Sequence, residues 1–287
     1  MNFIKGKTIQ NDRQLKQSFS QLAQETLGLD FKQWENLGYW DDSYCPYAFE
    51  VDGNIISNVS INSATMILEG KAYKAIQIGT VMTDPSYQGR GLSCQLMEKA
   101  LADTEQADII YLFANKSVLN FYPKFGFETR TQGTFTIETK HLHFEQTEIK
   151  KIDIFDDKAR QLFYETVMHR MPVSTKMSML QNENLVMFHA LTQYQDAIYY
   201  VPLFQAFVIG KEQQDRFQLI DVISKQVVDL EEIIRHLPID AQEIELCFTP
   251  DSLKIPMKQG VFQDDGAMFV KQRTVQYPDF VLYPYSG

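Results

Sequence analysis

Residues 75–93 read AIQIGTVMTDPSYQGRGLS, and this stretch decides the fold. Its opening run, 75–82, is apolar and strand-like, and Asp84-Pro85 ends it. YQGRG follows, and then Leu92, Leu96, Ala100 and Leu101 recur at i, i+4, i+8 and i+9. That spacing is the apolar stripe of an amphipathic helix. The next run, 108–113 (DIIYLF), reads as a buried strand. Strand, glycine loop, helix and strand in this order predict a right-handed crossover and a locally parallel pair of strands.

The loop carries its own chemistry. Glycines between a strand and a helix let a ligand approach the backbone. The helix N-terminus then presents unpaired N–H groups and a partial positive charge. Together these suit a phosphate or pyrophosphate, and Arg90 adds a full charge nearby. The competing reading is a turn that needs glycine only for tight packing. GxxxxGK[ST] is absent, which excludes a Walker loop. A dinucleotide-type G-x-G-x-x-G starting at Gly89 would meet Cys94 at its third glycine.

Outward from this unit, 11–27 and 31–37 read as helices, with Leu15, Phe19, Leu22 and Leu27 at helical spacing in the first. The runs 47–51, 55–61 and 65–68 read as strands, with Asp52-Gly53 as a hairpin turn. A short helix at 117–124 ends at Gly126, and two strand-like runs close this half. After them, 156–169 reads as a helix with Leu162, Phe163, Thr166 and Val167 on one side, ended by Pro172. Strands are expected at 185–190, 197–201, 203–209, 217–223 and 243–248, with a helix at 229–237. The junction falls near residue 148 and gives domains 1–148 and 149–287. Both are expected to be α/β with a mixed sheet. Domain 149–287 is expected to repeat the same β-α-β core with different loops, although no fixed-period repeat is visible.

Composition bounds the rest. A length of 287 residues corresponds to roughly two domains. Lys plus Arg number 27 against 37 Asp plus Glu, a formal net charge of −10. With a pI near 5.0 this disfavours broad binding to a phosphate backbone. The N-terminus, MNFIKGKTIQNDRQ, has no apolar core of signal-peptide length, and no run approaches the ~18 apolar residues of a membrane span. Cys45, Cys94 and Cys247 are far apart and never paired as C-x-x-C. We therefore expect a reducing cytoplasm, no disulfide framework and no metal. His141 and His143 alternate along an expected strand without a third ligand nearby. Met177 and Met179 follow Pro172 in an expected loop as packing residues. The acid pairs Asp156-Asp157, Glu231-Glu232 and Asp264-Asp265 read as solvated surface.

Gln88-Gly89-Arg90-Gly91-Leu92-Ser93 resembles the Q/R-x-x-G-x-G/A signature of the GNAT superfamily of acyl-CoA-dependent N-acyltransferases, with Ser93 in place of the final Gly or Ala. The preceding VMTDPSY, 81–87, looks like that family's strand-to-loop junction. A further family feature is an Asn, a Tyr seven positions on, and K-x-G-F. Here it appears as Asn115, Tyr122 and Lys124-Phe125-Gly126-Phe127. The resemblance covers residues 1–148 and implies a GNAT-like N-terminal domain using acetyl-CoA (coenzyme A) as co-substrate, with no metal. By it, the N–H groups of Gln88, Gly89, Arg90, Gly91, Leu92 and Ser93 would bind the pyrophosphate. The strand end at Val81, Met82 and Thr83 would pair with the pantetheine amide. Asn115 would lie beside the pantetheine arm, and Tyr122 would face the acyl sulfur as general acid.

The implied reaction is N-acetyl transfer to a primary amine by direct attack. A thiol has a pKa near 8.5 and a tyrosine near 10, so full transfer from Tyr122 to the thiolate is uphill by ~1.5 units, about 2 kcal/mol. A hydrogen bond or a concerted transfer is therefore expected. The general base stays open: the strand offers Gln77 and no acid, and Asp84 lies past its end on the cofactor side. Asp41, Asp42 and Glu69 are candidates without a clear preference, and a water chain or a substrate of lower pKa would also serve. The segment 34–42 holds both tryptophans beside acids, and could take a cationic amine or pack the helices against the sheet. The acceptor is expected to be a small-molecule or peptide amine, slightly favoured if cationic by the net charge.

The C-terminal half resembles a degenerate copy, because Ser224-Lys225-Gln226-Val227-Val228 before its helix has no glycine. One cofactor site per chain is expected, with the C-terminal half narrowing the acceptor cleft or making a homodimer contact. The alternative to an enzyme is a non-catalytic acyl-CoA sensor.

Overall fold

The computed structural model describes residues 1–262 and 266–273, so Asp264-Asp265 lies outside the described residues. Along the chain the elements are β1 (Asn2–Lys5), α1 (Lys7–Gln10), α2 (Arg13–Leu27), α3 (Lys32–Asn36), β2 (Tyr44–Val51), β3 (Asn54–Leu68), β4 (Lys71–Thr83), α4 (Leu92–Asp103), β5 (Ile109–Ala114), β6 (Glu128–Arg130) and β7 (Gly133–Glu138). They continue as β8 (Lys150–Lys151), α5 (Asp157–Met168), β9 (Met177–Leu180), α6 (Glu183–Thr192), β10 (Ile198–Val201), β11 (Ala206–Gln213), β12 (Arg216–Ser224), α7 (Leu230–His236), β13 (Glu243–Leu246), β14 (Met257–Val261) and β15 (Ala267–Gln272).

Met1–Ala64, Lys74–Glu128 and the described residues from Phe269 to Arg273 form one compact unit. Its strands run in the order β1-β2-β3-β4-β5-β15. Asp52 and Gly53 take left-handed backbone, φ 50° and 78°, which matches a tight hairpin to the strand twist. β2 and β3 then pair antiparallel from Tyr44↔Asn62 to Val51↔Asn54. β4 and β5 pair parallel, with α4 crossing over between them, as the order of elements requires. α2 starts at Asp12, whose carboxylate accepts the Leu15 N–H at 3.0 Å. It buries Leu15, Phe19, Leu22 and Ala23 and stops at Gly28. α4 buries Leu92, Leu96, Met97, Ala100 and Leu101.

Thr65–Tyr73 and Thr129–Met268 belong to a second unit. Its main sheet runs β14-β7-β13-β12-β11-β10-β8. β12 and β13 are parallel, from Arg216↔Glu243 to Leu219↔Leu246, and α7 connects them. This repeats the strand–helix–parallel strand order of β4, α4 and β5. Phe135, Ile137, Leu219, Ile233, Ile244 and Phe248 share its apolar core. The end of β3 pairs with β9, Thr65↔Leu180 to Leu68↔Met177. Beside it, the Asp251 carboxylate accepts the N–H groups of Thr175 and Lys176 and the hydroxyls of Ser174 and Thr175, all within 3.0 Å.

Several local expectations change. The run 185–190 is part of helix α6, because an apolar stretch interrupted only by His189 fits a buried helix as well as a buried strand. Met177 and Met179 lie on β9 rather than in a loop, buried as packing residues. The runs 55–61 and 65–68 form one strand, β3. The short helix at 117–124 is two separate 3₁₀ turns. Segment 129–148 packs with the second unit, where β7 pairs with β13 and β14. Leu162 is exposed, while Phe163, Thr166 and Val167 are buried. His141 ends a 3₁₀ turn instead of lying on a strand. Glu231 is buried and accepts the N–H groups of Lys254 and Ile255, so it is not solvated surface. Among the described residues, no helix is long and apolar enough to cross a membrane.

Candidate acyl-CoA site

The parallel pairing of β4 with β5 runs from Ala75↔Ile109 to Gln77↔Tyr111. Both strands continue past it, β4 to Thr83 and β5 to Ala114. The register therefore ends short of their carboxyl ends, and the strands part there. Thr80, beyond this register, takes a left-handed conformation with φ 49°. Open carboxyl edges of this kind are where α/β sheets take ligands.

The loop begins at that edge. The Asp84 carboxylate accepts the Ser86 N–H at 2.8 Å and caps a 3₁₀ turn, Pro85–Tyr87. It also accepts the Ser86 hydroxyl. Asp84 is thus part of the turn's framework. Gln88 Nε2 donates to the Thr83 carbonyl at 3.2 Å. Arg90 donates to the Ser86 carbonyl at 2.9 Å and lies 4.8 Å from the Tyr87 ring centroid, so its charge stays on the loop.

Gly89 and Gly91 have φ 74° and 73°, a region that disfavours other residues. A Cβ built on either would meet nothing within 4 Å, so the space over both is open. Gly91 is the N-cap of α4 and gives it no side-chain cap. The first N–H groups of α4 thus open onto a surface without a competing acceptor. α7 in the second unit differs. There the Asp229 carboxylate accepts the Glu231 and Glu232 N–H groups, at 2.9 and 3.4 Å.

Side chains tie the strand end to this helix. Ser93 Oγ lies 2.8 Å from Thr83 Oγ1, and Thr83 Oγ1 lies 2.8 Å from Ser57 Oγ on β3. Ser57 Oγ also donates to the Met82 carbonyl at 3.2 Å. Met82 itself is buried, while Val81 and Thr83 are half-buried.

Asn115 follows the end of β5 and is exposed, so the pairing of β4 with β5 brings it to the same carboxyl edge as the loop. Tyr122 begins the later 3₁₀ turn of 116–125, which ends at Gly126 with φ 79°. Its ring packs on Phe121, Phe127 and Phe269, with centroids 5.1, 6.3 and 5.5 Å away. Burial pushes its pKa up to about 12. The phenol is therefore a hydrogen-bond donor at neutral pH.

The other acids are placed elsewhere. Glu69 sits at the β3–β4 turn, the opposite end of β4 from Thr83. Asp41 accepts the Ser43 N–H at 2.9 Å, and Asp42 pairs with Lys7 at 2.9 Å. Trp34 is 1% exposed and belongs to the core. Trp40 is half-buried, with its ring centroid 5.8 Å from that of Trp34, and donates to the Tyr44 carbonyl at 3.2 Å. The packing role fits both rings.

Sequence reasoning missed Ser57, Asn58, Tyr44 and Thr80, all at the edges of this strand end. Nothing in their local pattern marks them, since a hydroxyl or amide in a strand says nothing of its cross-strand partner. Among the described residues, no group of three or more His, Cys, Asp or Glu is placed to hold a metal ion.

Comparison with known proteins agrees with this geometry. Residues 12–130 match a family model described as an acetyltransferase (GNAT) domain. A histone acetyltransferase of Glycine max is 45% identical over 58 residues, 20% of this chain and 25% of that protein. A chloroplastic GCN5-related N-acetyltransferase of Arabidopsis thaliana is 45% identical over 58 residues, 20% of this chain and 22% of that protein. The chain thus spans about a quarter of the length of these curated relatives.

Two solved structures share the fold over nearly the whole chain. A conserved protein of unknown function from Enterococcus faecalis has a TM-score of 0.60 at 16% identity, covering 95% of this chain and 72% of its own. A GCN5-related N-acetyltransferase from Kribbella flavida has a TM-score of 0.57 at 14% identity, covering 94% and 72%. The mixed α/β architecture of both units is therefore that of GNAT-like proteins. Residues 12–130, which hold the parting strands, the glycine loop and the Asn115–Tyr122 segment, belong to the GNAT acetyltransferase family.

Proposed function

We propose that the chain transfers an acyl group, with acetyl-CoA as donor, to a primary amine. The observation that carries this reading is the open space over Gly89 and Gly91 at the uncapped start of α4, beside strands that have parted. The residues fit the group: several N–H donors and a positive helix end suit a pyrophosphate, and Arg90 adds charge. Relatives named as acetyltransferases support the acetyl group.

The bound acetyl-CoA would supply an activated thioester. In the overall exchange the amine nitrogen bonds to the acyl carbon, the carbon–sulfur bond breaks, the amine loses one proton and the thiolate gains one. Gln88, Gly89, Arg90, Gly91, Leu92 and Ser93 would hold the pyrophosphate through backbone N–H groups. Val81, Met82 and Thr83 would offer strand-edge backbone to the pantetheine arm, and Asn115 would flank it. Tyr122 would donate a hydrogen bond to the leaving sulfur. With its pKa near 12 against about 8.5 for a thiol, prior ionisation is uphill by about 5 kcal/mol. Donation concerted with departure is the route this phenol supports.

The acceptor amine can be that of a small molecule or a peptide. An acyl-CoA sensor without turnover is the other reading. It is favoured by the absence of a free carboxylate on β4, where Gln77 stands, and by the local partners of Asp41, Asp42 and Asp84. An amine panel with thiol detection separates the two. Thiol release that depends on an added amine supports the enzyme, and binding without release supports the sensor.

A further inference from the structure

Thr80 occupies a conformation that a β-branched residue rarely enters. Its φ of 49° lies in the middle of a strand, between Gln77, where the β4–β5 pairing ends, and Thr83, where the loop begins. Such a conformation persists only where its surroundings hold it.

Two side chains, from β3 and β2, do so. Asn58 on β3 donates from Nδ2 to the Thr80 carbonyl at 2.8 Å. The Tyr44 hydroxyl on β2 lies 2.7 Å from Thr80 Oγ1. Thr80 is thus gripped at both its carbonyl and its side chain. The grips are themselves fixed. Asn58 Nδ2 also donates to Ser60 Oγ at 2.8 Å. The Tyr44 ring is wedged against Phe19, Trp34 and Trp40, with centroids 6.2, 5.4 and 5.6 Å away.

Asn58 is fully buried, yet its Oδ1 has no hydrogen-bond partner among the described residues. A buried acceptor left unmet is a standing cost that an apolar residue would avoid. Turning the amide over would not relieve it, because Oδ1 would then oppose the Thr80 carbonyl oxygen. The amide is oriented by what it donates, and one of its two bonds goes to the strained residue.

We infer that Asn58 and Tyr44 are positioning residues that hold Thr80 left-handed and so set how the end of β4 leaves β5 to receive the pantetheine arm. The inference rests on the acyl-CoA reading above. Neither residue touches the donor; both act through the course of the β4 backbone.

The test is calorimetric titration of the full chain with acetyl-CoA, beside thermal melting, for the wild type, Asn58→Ala, Tyr44→Phe and Asn58→Ala combined with Thr80→Gly. Asn58→Ala should weaken binding about tenfold or more, since the strained strand is no longer held. Adding Thr80→Gly should bring affinity back to within roughly threefold of wild type, because glycine takes this φ without strain. Tyr44→Phe, which keeps the ring, should weaken binding by a smaller factor. A merely structural Asn58 predicts a lower Tm with unchanged affinity, or a loss that Thr80→Gly does not recover, and either result overturns the inference. If Asn58→Ala does not fold, Tyr44→Phe decides: unchanged affinity overturns the inference and weakened affinity supports it. Failure of the wild type to bind overturns the acyl-CoA reading and this inference together. Wild-type binding with unaltered variants overturns the inference alone.

Discussion

Ser93 Oγ lies 2.8 Å from Thr83 Oγ1, so a hydroxyl pair joins the first turn of α4 to the last residue of β4. Ser57 Oγ extends the contact to β3 at a further 2.8 Å. Ser93 stands where the GNAT signature has glycine or alanine, and its side chain is spent on the strand. Ser93→Ala should therefore lower stability by about 0.5–1.5 kcal/mol, the worth of one hydrogen bond. Acetyl-CoA affinity should stay within about threefold, since the backbone N–H groups remain. Melting and titration of the same sample check both. A loss of affinity far beyond that would mean the hydroxyl itself meets the donor.

Tyr122→Phe should lower kcat by about 10²–10⁴, the usual span for a positioned acid, while leaving acetyl-CoA affinity nearly intact. The ring contacts to Phe127 and Phe269 survive the change. Steady-state rates with an amine acceptor, set beside binding data, read the split. An unchanged kcat removes the acid role.

The alkaline range offers a separate check. Burial raises the folded Tyr122 pKa from 10.0 to about 12. The phenol is thus still protonated at pH 10, and its ionisation should produce no alkaline limb in kcat there. The raised value also means that its stabilising contribution is present below pH 10 and is lost as pH climbs from 10 towards 12. An alkaline limb centred near pH 10 that vanishes in Tyr122→Phe would contradict this environment.

In the second unit, burial raises the Asp251 pKa, but hydrogen bonds from the Thr175 and Lys176 N–H groups and the Ser174 and Thr175 hydroxyls outweigh it and bring the value below 3.8. This contribution to stability is present above pH 3.8 and is lost as pH falls through the folded value. Asp251→Ala should cost about 1–3 kcal/mol near neutral pH, because a charged acceptor is lost to four donors, of which the Ser174 hydroxyl belongs to a buried residue. The difference from wild type should shrink in acid. Denaturant melts at both pH values measure it, and a difference independent of pH would contradict the clamp.

The parts of the site that are local in sequence were legible there. The strand, the turn after Asp84, the glycine loop and the stripe of α4 each follow from residue type at fixed spacing. The parts that depend on a distant strand were not. Thr80 resembles an ordinary strand residue until Asn58 and Tyr44 are seen in contact with its carbonyl and its hydroxyl. Phe269 reaches the Tyr122 ring from far along the chain, and no pattern near either residue signals the meeting. The C-terminal half misled for another reason. Residues 185–190 lack a polar face, so periodicity could not tell the buried helix α6 from a buried strand.

The most direct test of acetyl-CoA binding at the glycine loop is calorimetry of the wild type beside Gly91→Glu. Glutamate there would force a side chain into a left-handed position and place bulk and negative charge in the open space at the start of α4. The wild type should bind one acetyl-CoA per chain, because Asp229 already occupies the equivalent N–H groups of α7. Binding should be lost in the variant while it still melts cooperatively. No binding to the wild type, two sites per chain, or undiminished binding to Gly91→Glu would contradict the proposed site.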